Sequence, residues 1–529
     1  MTTNKLTENK AKANPRTSKL SDERLQAALV AHAEQITATP LTAIFEAQAA
    51  RLAALAVAAP RLYCDFSKLK VDALALELLE ALACAADLDG WKSKLLSGAI
   101  VNPSEARAAT HIAERGSGAA DDVAQAKAGQ GLMRGLVERV RTSDVRHIIH
   151  IGIGGSALGP ALLLDALGNG GDGPMCHVVA NIDGVALERV FALCDPLTTM
   201  LVLVSKSFTT VEMLTNASSA LDWLAAAGVA DPRARCIAVT AAPARASAFG
   251  IAEDAILPFA ESVGGRYSLW SSVGLPLALR CGWAVFAALL DGAAAMDAHF
   301  RDAPFGENAP ALAGAFDVWA ARYLNVPTRA VFAYDQRLAL LPAYLQQLEM
   351  ESNGKRVTRD GAPLEGASAA VTWGGTGTDA QHAVFQLLHQ GTAAVATEFV
   401  AVIAAGDALA ATHHRQLLGN CFAQGAALMK GRSFEAALAL SGGNAALAAA
   451  KTFPGDRASA TILLDQLDAA GLGALLAFYE HRTFVVATLM GINPFDQWGV
   501  ELGKEMAGQV ETGGVFDAST MALMARAGL

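Results

Sequence analysis

The chain has 529 residues, a length that predicts about three domains, or two large ones, at ~100–200 residues per domain. Its 51 acidic residues against 41 Lys and Arg give a net charge of −10, and without a basic run this argues against nucleic-acid binding. The hydrophobic share is 53%, but no apolar stretch reaches the ~18 residues of a membrane span, so we expect no membrane segment.

The first 20 residues are polar and charged, and they lack the apolar core of a secretory signal. The seven cysteines are widely spaced, without a C-x-x-C pair or another metal-binding pattern. This cysteine usage predicts reduced thiols, a cytoplasmic protein and no metal site.

Helical periodicity dominates the N-terminal region, residues 1–105, after its polar tail. After Asp144, short β-rich runs alternate with helical stretches, and a second such series follows a mostly helical link. The strand candidates are RHIIHIG, CHVVANID, TTMLVLVSK and ARCIAVTA, then RAVFAYD, AAVTWGG, TEFVAVIAA and ATILLDQL. We therefore predict an α/β fold of two doubly wound domains with parallel sheets, residues 106–283 and 284–493, with a helical C-terminal segment at 494–529.

The first candidate site is the glycine-rich loop that follows RHIIHIG. Gly152, Gly154 and Ala157 match the dinucleotide fingerprint G-x-G-x-x-G/A, and Asp183 after the next strand could bind a ribose. Such a turn also presents backbone N–H groups and a helix N-terminus to a sugar phosphate. A tight turn that only packs a helix on a strand explains this loop equally well when it is taken alone.

The loop after TTMLVLVSK carries five polar residues, namely Ser205, Lys206, Ser207, Thr209 and Thr210. Hydroxyls can bind phosphate oxygens while the N-terminus of the following helix favours their negative charge. Thr209 and Glu212 could instead form a capping box. Because one cap needs only one hydroxyl, the surplus favours a phosphate site, which a dinucleotide enzyme would not require here.

Two charged residues are candidates for the chemistry, one as a fixed cation and one as a base. Arg266 follows a Gly-Gly turn, where its fixed charge could stabilise an anion on a substrate, or could simply hold a helix end. Glu351 ends a predicted helix, where the macrodipole opposes the negative charge of a carboxylate, a setting that suits a general base. A solvated carboxylate at a helix end is nevertheless the commoner case.

Two segments in the C-terminal half of the chain carry further candidate site residues. Asp379 is a candidate N-cap, with His382 in the first turn and His389 on the same helical face seven residues later. That spacing is not the one of a metal pair, so we interpret His382 as catalytic and His389 as a packing residue. Gln497 and Lys504 could face one pocket from a helix near residues 498–509, beyond which the chain looks loosely structured.

The sequence resembles the phosphoglucose isomerase family from about Asn102 to Lys504, through IGIGGSALGP, SKSFTT, VGGRYSLWSSVGLPLAL, QQLEMESNGK, GTDAQHAVFQLLHQGT and NPFDQWGVELGK in family order. The resemblance implies reversible isomerisation of glucose 6-phosphate and fructose 6-phosphate through a cis-enediol, without metal or nucleotide cofactor. It also implies sugar-isomerase-type α/β domains and a homodimer in which one subunit completes the site of the other.

The resemblance further implies residue roles. Glu351 would move the proton between C1 and C2, and Arg266 would stabilise the enediolate. His382, reaching the site from the neighbouring subunit, would open the sugar ring together with Lys504. The implied substrate-binding residues are Ser205, Lys206, Ser207, Thr209 and Thr210 for the phosphate, and Gly155, Ser156, Gln347 and Gln497 for the sugar.

Two positions depart from the family pattern. Ala157 stands where an aspartate is often found, and Ser207, which keeps the hydroxyl, stands where threonine is more usual. Two other functions remain open on the residues alone. A NAD(P)-dependent oxidoreductase would rest only on the glycine loop and Asp183, and a non-catalytic sugar-phosphate-binding regulator could dispense with the three proposed acid–base groups.

Overall fold

The computed structural model describes residues 22–529, so the predicted polar tail lies outside the described residues. The helices are α1 (Asp22–Thr37), α2 (Leu41–Glu46), α3 (Arg51–Leu55), α4 (Ala73–Ala85), α5 (Leu88–Leu96), α6 (Ala120–Arg141), α7 (Leu158–Leu167), α8 (Gly184–Phe191), α9 (Val211–Ala226), α10 (Pro243–Ala248), α11 (Leu275–Cys281), α12 (Trp283–Asp302), α13 (Ala309–Val318), α14 (Leu341–Leu345), α15 (Asp379–Ala383), α16 (Phe385–Gln390), α17 (Ala411–Lys430), α18 (Phe434–Leu440), α19 (Ala445–Ala450), α20 (Ala469–Met490), α21 (Glu501–Glu511) and α22 (Ala518–Ala527). The strands are β1 (Ala56–Ala59), β2 (Leu62–Asp65), β3 (His147–Ile151), β4 (Met175–Val179), β5 (Thr199–Val204), β6 (Cys236–Thr240), β7 (Ile256–Pro258), β8 (Thr328–Tyr334), β9 (Val371–Thr376), β10 (Ala396–Val402) and β11 (Ser459–Leu464).

The first sheet has the strand order β4-β3-β5-β6-β7 and is parallel throughout. Its central strands are apolar on both faces because helices cover both sides, which is the usual reason why such strands lack alternation. The four predicted strands of this unit are all present. The short strand β7 at the edge was not predicted, because only three residues of the sequence carry it.

The second sheet has the order β1-β2-β11-β10-β8-β9. Strands β8 to β11 are parallel and match the second predicted series. Strand β2 pairs antiparallel with β11, and β1 pairs antiparallel with β2. The two sheets confirm the predicted α/β class with parallel sheets, whereas the domain boundaries remain predictions.

The N-terminal region is largely helical, as expected, but it also contributes the hairpin β1–β2. The two strands are joined at Pro60 and Arg61, where Arg61 takes a positive φ of 64°. The helical spacing of apolar residues in LTAIFEAQAARLAALAV predicts helix here, and alanine adds a high helix propensity. Pairing with the exposed edge of β11 overrides that local preference.

Helix α20 is buried along almost its whole length and packs against α12 and α13. Its charged residues are paired within the core: Glu480 with Arg115, and Arg482 with both Asp317 and Glu398. Since Glu398 belongs to the second sheet and Arg115 precedes the first one, this helix ties the two units together. Within residues 22–529, no helix combines the length and the apolar character of a membrane span.

The C-terminal segment differs from its prediction. Helix α21 corresponds to the expected helix, but the chain beyond it is not loose, because α22 covers Ala518–Ala527. The Asp517 side chain caps α22 by accepting hydrogen bonds from the backbone N–H groups of Ser519 and Thr520. Neither α21 nor α22 contains a buried residue.

Candidate active site

The two polar loops predicted from the sequence lie at the same edge of the first sheet. One follows β3 and the other follows β5, and these strands are direct neighbours. From β3 the chain crosses to β4 on one side and later returns to β5 on the other, so the strand order reverses between them. Ligands of open α/β sheets bind at such a reversal, outside the carboxyl ends of the strands.

The glycine loop is pressed against the turn that carries Arg266. A Cβ on Gly155 would lie 2.2 Å from the carbonyl carbon of Gly265 and 2.6 Å from the backbone nitrogen of Arg266. Gly154 takes a positive φ of 58°, and its position faces the amide of Gln347. The glycines therefore bring the backbone of one loop against two predicted site residues.

The structure gives Asp183 a helix-capping role, which differs from the ribose-binding role considered for it. Its carboxylate accepts a hydrogen bond from the backbone N–H of Val185 at 3.1 Å and caps α8. The acidic residue that supported the dinucleotide hypothesis thus has a structural task.

The hydroxyl loop wraps the entrance of α9. Ser205 is buried, and its Oγ lies 2.9 Å from Oγ1 of Thr210 while it accepts a hydrogen bond from the backbone N–H of Phe208. Ser207 and Thr209 are the more exposed pair, and Ser207 Oγ lies 2.7 Å from Thr209 Oγ1. Thr210, not Thr209, is the N-cap residue and its side chain makes no cap bond, so the alternative capping box is not formed.

Lys206 is the cation of this loop. Burial lowers its pKa from 10.5 to about 8, and the nearby Arg107 adds to the effect, while Glu105 and Glu261 partly offset it. A lysine whose charge is disfavoured by burial gains from an anion beside it. Arg107 was not predicted as a site residue, and it lies outside the motifs that carry the family resemblance.

Arg266 is buried with all five of its N–H donors engaged. Nε donates to Ser352 Oγ at 2.6 Å, and one terminal nitrogen donates to Glu351 Oε1 at 3.1 Å and to Gln497 Oε1 at 2.9 Å. The other terminal nitrogen donates to the backbone carbonyls of Pro494 and Asp496. Such a saturated guanidinium has a fixed orientation, which is what the stabilisation of a developing anion requires.

Glu351 lies at the end of a helix, as predicted. The stretch Gln346–Glu351 forms a π-helix after α14, a wide turn that is frequent at functional sites. The Glu351 carboxylate bridges Arg266 and the side-chain amide of Gln347, which donates to Oε2 at 2.9 Å. The side chain of Glu351 keeps 21% of its surface exposed, so a ligand can reach it.

Two residues that hold this pair were missed by sequence reasoning. Ser352 is fully buried, and its Oγ lies 2.6 Å from Arg266 Nε and 2.8 Å from the hydroxyl of Tyr267. Asp496 accepts from Lys355 Nζ at 2.7 Å and from Ser104 at 2.6 Å, which fastens the loop beneath Gln497. Both lie inside family-like motifs, and that adjacency is the only signal that the sequence offered.

His382 and Lys504 are not brought to this cluster within the chain. Both are exposed, and neither side chain forms a hydrogen bond or ion pair with any residue among 22–529. The predicted single helix is interrupted at Val384, so His382 on α15 and His389 on α16 do not share one helical face. His389 packs as expected, with Nε2 2.9 Å from Gln424. Asp379 is the first residue of α15, while Thr378 occupies the N-cap position.

The site therefore combines a loop of hydroxyls and a lysine with a carboxylate held against a fixed guanidinium. These features define the class: an α/β protein whose sheet edge offers one base, one cation and a polar loop suited to an anion. The family model of phosphoglucose isomerase matches residues 65–524. The chain belongs to the phosphoglucose isomerase family, which confirms the resemblance found in the sequence.

Relatives and a solved structure agree with this assignment. The glucose-6-phosphate isomerase of Erythrobacter litoralis is 57% identical over 472 residues, which cover 88% of this chain and 89% of the relative. The enzyme of the same name from Rhizorhabdus wittichii is 54% identical over 495 residues, or 93% and 97% of the two chains. The crystal structure of a glucose-6-phosphate isomerase from Chlamydia trachomatis has a TM-score of 0.86 at 30% identity and covers 96% of this chain and 99% of its own.

Proposed function

We propose that this chain catalyses the reversible isomerisation of glucose 6-phosphate and fructose 6-phosphate. The observation that carries the proposal is the Glu351 carboxylate, 3.1 Å from the buried Arg266 guanidinium, at the sheet edge that also presents the hydroxyl loop. Proton abstraction next to a carbonyl needs one positioned base and one cation for the oxyanion. This pair supplies both groups.

In the proposed reaction, Glu351 takes the proton from C2 of the open-chain aldose and returns it to C1, while a proton passes from the hydroxyl on C2 to the oxygen on C1. The charge that develops on the oxygens of the cis-enediol intermediate is stabilised by Arg266. The hydrogen bond from Gln347 keeps the Glu351 carboxylate oriented while it gains and loses the proton. No metal or nucleotide takes part in these steps.

The phosphate is proposed to bind at the start of α9. The hydroxyls of Ser205, Ser207, Thr209 and Thr210 would bind its oxygens, next to the ammonium group of Lys206. The positive end of the 16-residue helix α9 adds a favourable field for the anion. Because the phosphate is remote from C1 and C2, its binding energy serves to fix the sugar relative to Glu351. Gly155, Ser156 and Gln497 are the proposed sugar contacts.

We also propose a homodimer in which His382 completes the site of the partner subunit and opens the sugar ring with Lys504. The exposure of both side chains supports this, since each is free to meet a second chain or the substrate. Large apolar side chains on the C-terminal segment are exposed as well, among them Trp498 at 52%, Leu502 at 67% and Leu523 at 65%. Exposed large apolar side chains of this kind are available to pack against a second chain.

Mixing inactive subunits tests the shared site. We expect His382→Ala and Glu351→Gln chains, each inactive alone, to recover activity after subunit exchange, because one site of the mixed dimer then contains both native groups. Mixtures of each variant with itself serve as controls. An absence of recovery after exchange has been verified by mass spectrometry would refute the shared site.

Incubation of glucose 6-phosphate with the enzyme in deuterated water tests the reaction itself. We expect fructose 6-phosphate with deuterium at C1, without added metal or nucleotide. Binding of the sugar phosphate without turnover would favour the regulator instead, and nicotinamide-dependent oxidation would favour the oxidoreductase. We further propose that the enzyme works in the cytoplasm, which fits the seven free cysteines.

A further inference from the structure

Two histidines and a cysteine meet at the end of the first sheet that lies opposite the active site. They are His147 at the start of β3, His177 in β4 and Cys194 after α8, and one ligand atom of each lies within 4.8 Å of the others. Their separations in sequence, 30 and 17 residues, form no metal-binding pattern. Only the sheet brings them together.

The strand register explains why the histidines face each other. His147 pairs with Met175, and His177 pairs with Ile149 of the neighbouring parallel strand. Side chains two residues apart in a strand share a face, so His147 and His177 are diagonal neighbours on the same face of the sheet. Their rings stack at a centroid distance of 5.8 Å.

The third residue approaches that face from the covering helix. Cys194 follows α8 by three residues and packs, half-buried, against the cluster of apolar side chains between this face and helices α8 and α9. Its thiol is free. The backbone of the turn is fixed by the hydrogen bond from Cys194 N–H to the carbonyl of Phe191.

Each histidine carries a ring nitrogen that is closed off from solvent and has no hydrogen-bond partner among the described residues. These atoms are Nδ1 of His147 and Nε2 of His177. A buried polar atom without a partner is costly and therefore rare in folded proteins. A cation ligated by these two nitrogens would satisfy both.

We propose that His147, His177 and Cys194 form a binding site for a transition-metal ion of the Zn²⁺ type. Two imidazole nitrogens and one thiolate suit a borderline-soft ion and exclude Mg²⁺ and Ca²⁺, which prefer oxygen ligands. Bond lengths of ~2.1 Å to nitrogen and ~2.3 Å to sulfur set the ligand atoms of a tetrahedral site about 3.5 Å apart. The three ligand atoms lie within 4.8 Å of one another, so rotations of the side chains would bring them to that spacing, and water would take the fourth position.

This site is separate from the proposed catalysis. His147 and the glycine loop stand at opposite ends of β3, about 16 Å apart at ~3.3 Å per residue. A metal ion here would bind β3, β4 and the end of α8 together. The bound ion would therefore stabilise the first domain without contacting the substrate. Binding would also release the thiol proton of Cys194.

Co²⁺ serves as a spectroscopic probe of the site in the purified full chain, after treatment with a chelator. We expect one equivalent of Co²⁺ per chain, the near-ultraviolet band of a thiolate–Co²⁺ bond, and displacement of Co²⁺ by Zn²⁺. Zn²⁺ should also raise the melting temperature, because a ligand that binds only the native state stabilises it. Cys194→Ala should remove the thiolate band, and His177→Ala should weaken Co²⁺ binding by at least about 100-fold, more than the ~10–100-fold typical of losing an outer-shell partner.

Cys281→Ala is the matched control, because Cys281 is also a free, half-buried thiol of the same domain but lies on α11. This variant should keep the band and the stoichiometry. Isomerase activity, retained in Cys194→Ala, verifies that the variant is folded. A wild-type chain without the band at saturating Co²⁺, or a band that survives Cys194→Ala, would overturn the proposal. Equal loss of binding in Cys281→Ala would do so as well.

Discussion

Replacing Ser352 tests how the Arg266 guanidinium is held in position. Its Oγ accepts a hydrogen bond from Arg266 Nε at 2.6 Å and lies 2.8 Å from the hydroxyl of Tyr267, with no exposed surface on the residue. Ser352 acts through Arg266, since all its polar contacts run to that side chain and to Tyr267. Replacement by alanine leaves the Arg266 Nε–H without an acceptor.

The magnitude follows from this single contact. A hydrogen bond to a charged group is worth about 1.5–3 kcal/mol. If the free energy by which Arg266 stabilises the enediolate falls by that amount, kcat falls by about 10- to 150-fold, at ~1.4 kcal/mol per factor of ten. KM should change little, because the phosphate loop is untouched. The free energy of unfolding should fall by about 1–3 kcal/mol from the unsatisfied donor.

Steady-state kinetics with fructose 6-phosphate, in a coupled assay of glucose 6-phosphate, separate kcat from KM. Ser271→Ala is the matched control, because Ser271 is similarly buried and accepts and donates hydrogen bonds, but makes no hydrogen bond with Arg266. We expect both variants to lose stability in denaturant unfolding, and only Ser352→Ala to lose kcat. An unchanged kcat in Ser352→Ala, or an equal loss in Ser271→Ala, would refute the positioning role.

Three further predictions concern the same site. Glu351→Gln should lower kcat by at least about 10²–10⁴-fold, the usual worth of a general base, while calorimetry still detects binding of fructose 6-phosphate; full activity would sink the assignment. Because the pKa of Lys206 is lowered to about 8 from 10.5, its charge is present below pH 8 and lost above it, so kcat/KM should fall as pH rises from 7 to 9. Lys206→Arg, which stays charged, should remove that decline, and an identical pH profile would contradict this cause. Gly155→Ala should lower stability by about 1–3 kcal/mol through overpacking and reduce kcat/KM, since the added Cβ would meet the Gly265 carbonyl at 2.2 Å; Gly170→Ala, which meets nothing within 4 Å, should leave both unchanged.

The sequence by itself determined the parallel strands β3 to β6 and β8 to β11, and it determined the family. Apolar runs such as those of β3 and β5 are local patterns, and the polar loops that follow them could be recognised residue by residue. The helix end at Glu351 was also predictable, because helix periodicity and an Asn-Gly turn stand next to each other in the chain.

Only the tertiary structure decided which of these residues meet. Arg266 reaches Ser352, Glu351 and Gln497 from 85 to 231 positions away in the chain, and no local pattern encodes such a pairing. The hairpin β1–β2 depends in the same way on the free edge of β11, against the helix propensity of its own alanines. The cluster of His147, His177 and Cys194 depends on the register of β3 against β4. Strand order and register are set by the packing of the whole core, and periodicity reports only which face of an element is buried.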